Sequence, residues 1–204
     1  MTEQQKIETK EKILTVAREL FALKGFEGAS VREIAKRASV NIAAINYHFD
    51  TKEKLFNQVM DLAHREASDA IEAHVAAHPE ISVEELVEWI FGYFLERADI
   101  LRSVFKMMLS ETGWNHDCGA DDEDFGPPGG LAIAKVIVRQ LKHDVPESDM
   151  FWAVKMLFST LTHMALLYSN HFCHLPAEQA PYHDRASLEA DLRRLSRVIL
   201  RDLG

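Results

Sequence analysis

Apolar residues recur along this chain at three- and four-residue intervals. No stretch alternates with period two between hairpin turns, so the pattern predicts an all-α protein. Residues 9–24 put Ile13, Ala17, Leu20 and Phe21 on one helical face, and Gly25 supplies a stop. A second, short helix follows. Ser30 and Glu33 have the S-x-x-E spacing of a capping box, and Val31, Ile34, Ala35 and Ala38 repeat at i, i+3, i+4 and i+7. Ser39-Val40-Asn41 interrupts the pattern, and Asn41 can cap a third helix from Ile42 to about Phe49. Asp50-Thr51 ends that helix, and Thr51 can cap a fourth that runs towards His78.

Pro79 separates this long helix from one that begins near Ser82, with a break expected around Ala98-Asp99. Residues 112–130, TGWNHDCGADDEDFGPPGG, hold five glycines, two prolines and five acids and predict a long irregular segment. Helices resume at roughly 131–143, 147–170 and 184–203, with HFCHLPAEQAPYH as a second, shorter loop. The count is about nine helices: a three-helix head with a helix-turn-helix in residues 1–50, and a larger helical bundle in 51–204, with Thr51 starting the connecting helix.

Composition narrows the options. A net charge of -9 argues against a protein that coats nucleic acid with its whole surface. The charge is unevenly spread, however: residues 1–54 carry ten Lys/Arg against eight Asp/Glu, and the remainder is strongly acidic. A mildly basic head on an acidic body suits a protein in which only the head meets a polyanion. The two cysteines, Cys118 and Cys173, lie far apart, which favours the reducing cytoplasm over a disulfide framework. The polar start MTEQQKIETKEK has no apolar core of a signal peptide. The apolar run from Met150 to Tyr168 is interrupted by Lys155, Thr160, Thr162 and His163, and reads as a buried helix rather than a membrane span.

Two short helices joined by a tight turn form a helix-turn-helix pattern, whose second helix enters the DNA major groove. On the third helix, Ile42, Ile45 and Phe49 fall at i, i+3 and i+7 and predict the buried side, against Ile34 and Phe21. Ala43, Ala44, Tyr47 and His48 then point outward. Small alanines allow close approach to base edges and to thymine methyls. The Tyr47 hydroxyl, the His48 ring and Lys52 can reach phosphates, and a helix starting at Thr51 presents backbone N–H groups to an anion. Arg32, in the first turn of the second helix, can reach the backbone or a guanine edge.

The span from Thr9 to Met60 resembles the N-terminal domain of the TetR family of bacterial transcriptional regulators. The residues that carry the likeness are ARELFALKGF (17–26), SVREIAKRA (30–38), INYHF (45–49) and TKEKLF (51–56), in the family's order and spacing. The resemblance implies a three-helix DNA-binding head, a helical ligand-binding body and a homodimer with its recognition helices in successive major grooves. Arg32, Ala43, Ala44, Tyr47, His48 and Lys52 match family DNA-contact positions, and Asn41, Asn46 and Thr51 complete the candidate set. Asn46 stands where the family often has a tyrosine; its amide can reach a phosphate or an adenine edge, or complete the packing.

The body offers less. The last helix carries Leu188, Leu192, Leu195, Ile199 and Leu203 at near-heptad spacing, and the helix before it is apolar nearly all round. These two helices, about 147–170 and 184–203, either pack within one subunit or make the homodimer's interface, which two half-sites on DNA favour. An apolar or amphipathic small-molecule effector is expected between the 86–109 and 150–168 helices, near Phe91, Phe94, Phe105, Met108, Phe158 and His163. No metal site has a structural-zinc spacing, though His116, Cys118, His171, Cys173, His174 and His183 leave a metal-responsive regulator as an alternative, and a helical interaction protein without DNA binding is another. No nucleophile elbow, phosphate loop or paired-carboxylate motif points to an enzyme, and no motif calls for a cofactor.

Overall fold

The computed structural model describes residues 3–109, 126–169 and 184–204, and among these every regular element is helical. The order is α1 (Glu3–Gly28), α2 (Val31–Ala38), α3 (Ile42–Phe49), α4 (Lys52–Ala77), α5 (Val83–Glu96), α6 (Ala98–Met108), α7 (Gly130–Leu141), α8 (Glu147–Ser169) and α9 (Arg185–Leu203). Most of the irregular segment expected at 112–130 and the loop after His171 lie outside the described residues. The described residues fall into two compact units, one within Met1–Ala63 and Asp99–Asp117, the other within His64–Ala98 and Cys118–Gly204.

The first unit is built around one apolar cluster. Ile13, Ala17, Leu20 and Phe21 of α1, Ile34 and Ala38 of α2, Ile45 and Phe49 of α3, and Leu55, Phe56 and Val59 of α4 are all buried in it. Phe21, Phe26 and Phe56 meet at its centre, with ring centroids 5.1 to 5.9 Å apart and Phe56 edge-on to both others. That geometry sets the positive ring edge against a negative face. The first helix departs from expectation at both ends. It begins at Glu3, and its pattern breaks at Gly25 (φ 73°), where glycine adopts a left-handed backbone without Cβ strain before one more turn brings Phe26 into the cluster.

In the second unit, α5 packs against α8 and α9, α7 against α5 and α8, and α8 against α9. Ser82 and Glu85 form a complete capping box at the start of α5: the Glu85 N–H donates to Ser82 Oγ (3.2 Å) and the Ser82 N–H donates to Glu85 Oε2 (2.9 Å). The Arg193 guanidinium pairs with both Glu88 carboxylate oxygens, tying α9 to α5. Helix α8 is long and apolar enough, by length and composition, to cross a membrane. Here its buried face of Met150, Ala153, Val154, Leu157, Leu161 and Ala165 lies in the packing of this unit. On α9 the leucine stripe points inward: Leu192 and Ile199 are buried within the unit, and Val198 is the large apolar residue left exposed.

Candidate nucleic-acid interface

The turn between α2 and α3 is fixed by backbone geometry before any side chain reaches outward. Ser39 takes a left-handed conformation (φ 54°, ψ 42°), which lets its N–H donate to Lys36 O and the Val40 N–H donate to Ala35 O (3.0 Å). Asn41 then caps α3, its Oδ1 accepting from the Ala43 N–H at 3.0 Å. The start of α2 is capped in only one direction. The Glu33 N–H donates to Ser30 Oγ at 3.2 Å, but the Glu33 carboxylate does not return to Ser30. Instead, it accepts two 2.8 Å hydrogen bonds from Lys24 Nζ on α1. That pairing holds the Glu33 carboxyl below the usual range.

Helix α3, held this way, buries Ile45 and Phe49 and presents Ala43, Asn46 and Tyr47 to solvent, with Ala44 half-buried. Two positions differ from the periodic reading. Ile42 is not on the buried side: it is 39% exposed, because it opens the helix beyond the reach of the cluster. His48 is only half-exposed, lying between Tyr47 and Phe49 (centroids 5.1 and 6.0 Å). Its Nε2 is buried without a hydrogen-bond partner among the described residues. The ring therefore does not turn that nitrogen outward as a phosphate donor. Asn46 is exposed, which removes the packing role and leaves its amide available to a partner.

The cations are arranged unequally. Arg32 is exposed and makes no ion pair among the described residues, whereas Lys54 is held by Asp50 at 2.7 Å. Lys52 lies over the Phe26 ring, 4.2 Å from its centroid, which rests the ammonium on an aromatic face at the start of α4. Thr51 caps that helix, its Oγ1 accepting from the Lys54 N–H at 3.2 Å. The N-terminus of α4 is not an open anion site, since the Glu53 carboxyl sits there, lowered chiefly by its own backbone N–H and then by Thr51. Lys6, on the first turn of α1, is a cation that no sequence motif marks. Its charge is favoured first by Glu3, 3.1 Å away, and then by Tyr47, which sets α1 beside the exposed face of α3.

The six candidate effector residues fall in both units: Phe91, Phe94, Phe158 and His163 in the second, Phe105 and Met108 in the first. Phe94 meets Phe158 edge-on at 5.7 Å, Phe91 is fully buried and His163 is exposed on α8. Phe105 is half-buried and Met108 exposed on α6, which belongs to the first unit.

A capped pair of short helices on a single aromatic cluster, with the second helix presenting small and polar side chains, defines a helix-turn-helix head. Residues 13–59 match the sequence profile of bacterial regulatory proteins, tetR family. The chain is 38% identical over 87 residues to the HTH-type transcriptional regulator YttP of Bacillus subtilis, covering 42% of each. It is 33% identical over 101 residues to the HTH-type transcriptional repressor NicS of Pseudomonas putida, covering 48% of this chain and 47% of that one. These matches thus span less than half the length of either relative. A solved transcriptional regulator of Streptomyces coelicolor superposes with a TM-score of 0.61 over 94% of this chain and 97% of that one, at 20% identity, so the fold as a whole is shared. The likeness to the TetR family thus rests on residues 13–59, the helix-turn-helix head, and the likeness beyond it is one of fold.

Proposed function

We propose that this chain is a one-component transcriptional repressor of the cytoplasm. It binds palindromic operator DNA as a homodimer and is released by a small apolar or amphipathic effector. The observation that carries the reading is the outer face of α3: Ala43, Asn46 and Tyr47 exposed on a capped helix, with Arg32 unpaired at the start of α2. Ala43 and the exposed Ile42 offer methyl groups to thymine in the major groove, and Asn46 offers an amide to a base edge. Tyr47, Thr51, Lys52 and Arg32 supply donors for phosphates, which set register without reading sequence. Helix α4 is 26 residues long and contributes to both units, which makes it the covalent route from an effector to the head. An effector releases DNA only if it prefers the conformation whose heads do not fit successive grooves.

Selection of bound sequences from random DNA tests this directly, and a palindrome with half-sites one helical turn apart is the expected product. Tyr47→Ala and Lys52→Ala should each weaken binding to all sequences. The Lys52 change should also flatten the salt dependence, by about 0.9 in log–log slope for each phosphate it no longer neutralises. Unchanged affinity in both at matched salt would overturn the docking.

A further inference from the structure

The second unit carries a surface cleft of about 530 Å³, lined by His74, His78, Glu80, Ile81, Glu85 and Trp89, which the DNA-binding reading does not use. His74 and His78 lie one turn apart at the end of α4, with ring centroids 4.2 Å apart and planes inclined by 35°. Two histidines at i and i+4 share a helix face, the spacing from which two imidazoles can hold one metal ion.

Two further features prepare the pair for that task. His78 Nδ1 lies 2.9 Å from the His74 carbonyl oxygen. A carbonyl can only accept, so the proton resides on Nδ1 and Nε2 keeps its lone pair. This is the outer hydrogen bond that orients metal-binding histidines. The His74 ring lies flat on the Trp89 indole at 3.9 Å and 9°, which fixes its plane, and its nitrogens have no hydrogen-bond partner among the described residues.

We propose that His74 and His78 together bind one divalent transition-metal ion, with Cu²⁺ held most tightly. Imidazole nitrogens suit Cu²⁺, Ni²⁺ and Zn²⁺, and Cu²⁺ heads the affinity order. Glu85, which also lines the cleft, has its Oε2 engaged by the Ser82 N–H (2.9 Å) and Oγ (2.7 Å) in the α5 cap, so the proposal rests on the two imidazoles. Among the described residues no cluster of three or more His, Cys, Asp or Glu could hold a metal, so the proposed site is a two-imidazole one.

Trp89 supplies the readout, since a paramagnetic ion on His74 sits beside the indole and quenches it. The full chain is titrated with CuCl₂ while tryptophan emission is followed, with Trp89→Phe separating this signal from Trp114 and Trp152. Micromolar Cu²⁺ is expected to remove the Trp89 share of the emission. His74→Ala and His78→Ala should each weaken the effect by about tenfold or more, and His163→Ala should leave it unchanged. His78→Gln, at an exposed position, serves as a second variant that keeps the helix and removes the ligand. No quenching by Cu²⁺, quenching that persists in Trp89→Phe, or equal quenching in the His74/His78 variants would overturn the proposal.

Discussion

Tyr47 and His48 are neighbours in the chain but meet opposite surroundings, because consecutive helical positions are rotated by about 100°. Tyr47 stands 66% exposed, while His48 turns its Nε2 into the protein. Periodicity predicts the burial of Ile45 and Phe49, yet it assigns Ile42 to the core and His48 to solvent. The cause is the short length of α3: at a helix end the neighbouring element, not the helical repeat, decides what is covered. The Lys52–Phe26 stack and the nearness of Lys6 to Tyr47 join positions far apart in sequence, so no local pattern could announce them. Glu53 is the residue with the sharpest consequence. Its carboxylate occupies the α4 N-terminus where a phosphate would otherwise bind. Glu53→Gln is therefore expected to tighten operator binding by about threefold to tenfold at low ionic strength, with the gain shrinking as salt screens the interaction. Fluorescence anisotropy with labelled operator at two salt concentrations measures it.

At the scale of elements, helix boundaries were legible because their caps are local. Asn41 and Thr51 cap where their types placed them, and the helix expected from near Ser82 begins there, on a Ser82–Glu85 box the periodicity did not name. The Ser30–Glu33 box was half wrong for a tertiary reason, since Lys24 of another helix outcompetes the cap for the carboxylate. Glu33, Glu53, Glu85 and Asp184 all sit at helix starts, and all four have lowered pKa values. A carboxyl whose folded pKa lies below its unfolded one stabilises fully above the unfolded value of about 4, and that contribution disappears as pH falls through the folded value. The melting temperature should therefore fall as pH drops below about 4.5, modestly because these carboxyls are solvent-screened, and Glu85→Gln should lessen that fall in a pH series of thermal melts. The head's aromatic centre gives a larger effect. Phe56 is buried against Phe21 and Phe26, so Phe56→Ala should cost about 3–5 kcal/mol in urea unfolding. Ser39, left-handed at φ 54°, should gain up to about 1 kcal/mol on replacement by glycine, read from the same unfolding curves.

For the molecule as a whole, the all-helical fold and the contrast between a basic head and an acidic body were legible in the sequence, while the surface available to a second copy was not. The leucine repeat of α9 is regular, but Leu192 and Ile199 of that repeat are covered within the protomer. Within the second unit the large apolar residues left exposed are mainly on α8, where Phe151, Trp152, Leu167 and Tyr168 are exposed along with Lys155, Ser159 and His163, and Val198 adds to them on α9. Phe151 and Trp152 stand near one end of α8 and Leu167 and Tyr168 near the other, with Lys155, Ser159 and His163 between them, and exposed apolar patches rimmed by polar residues mark contact surfaces. If α8 and α9 join two copies, a charge in each patch separates them without disturbing the core, since the substituted side chains were already exposed. Trp152→Glu combined with Leu167→Glu should sediment as a monomer while keeping its helical circular dichroism. Each head would then meet a single half-site, and without the linked second head operator binding should weaken by about 10²–10⁴. A variant that remains dimeric in sedimentation, or a monomer that keeps full operator affinity, would show that these patches are not the surface on which DNA binding depends.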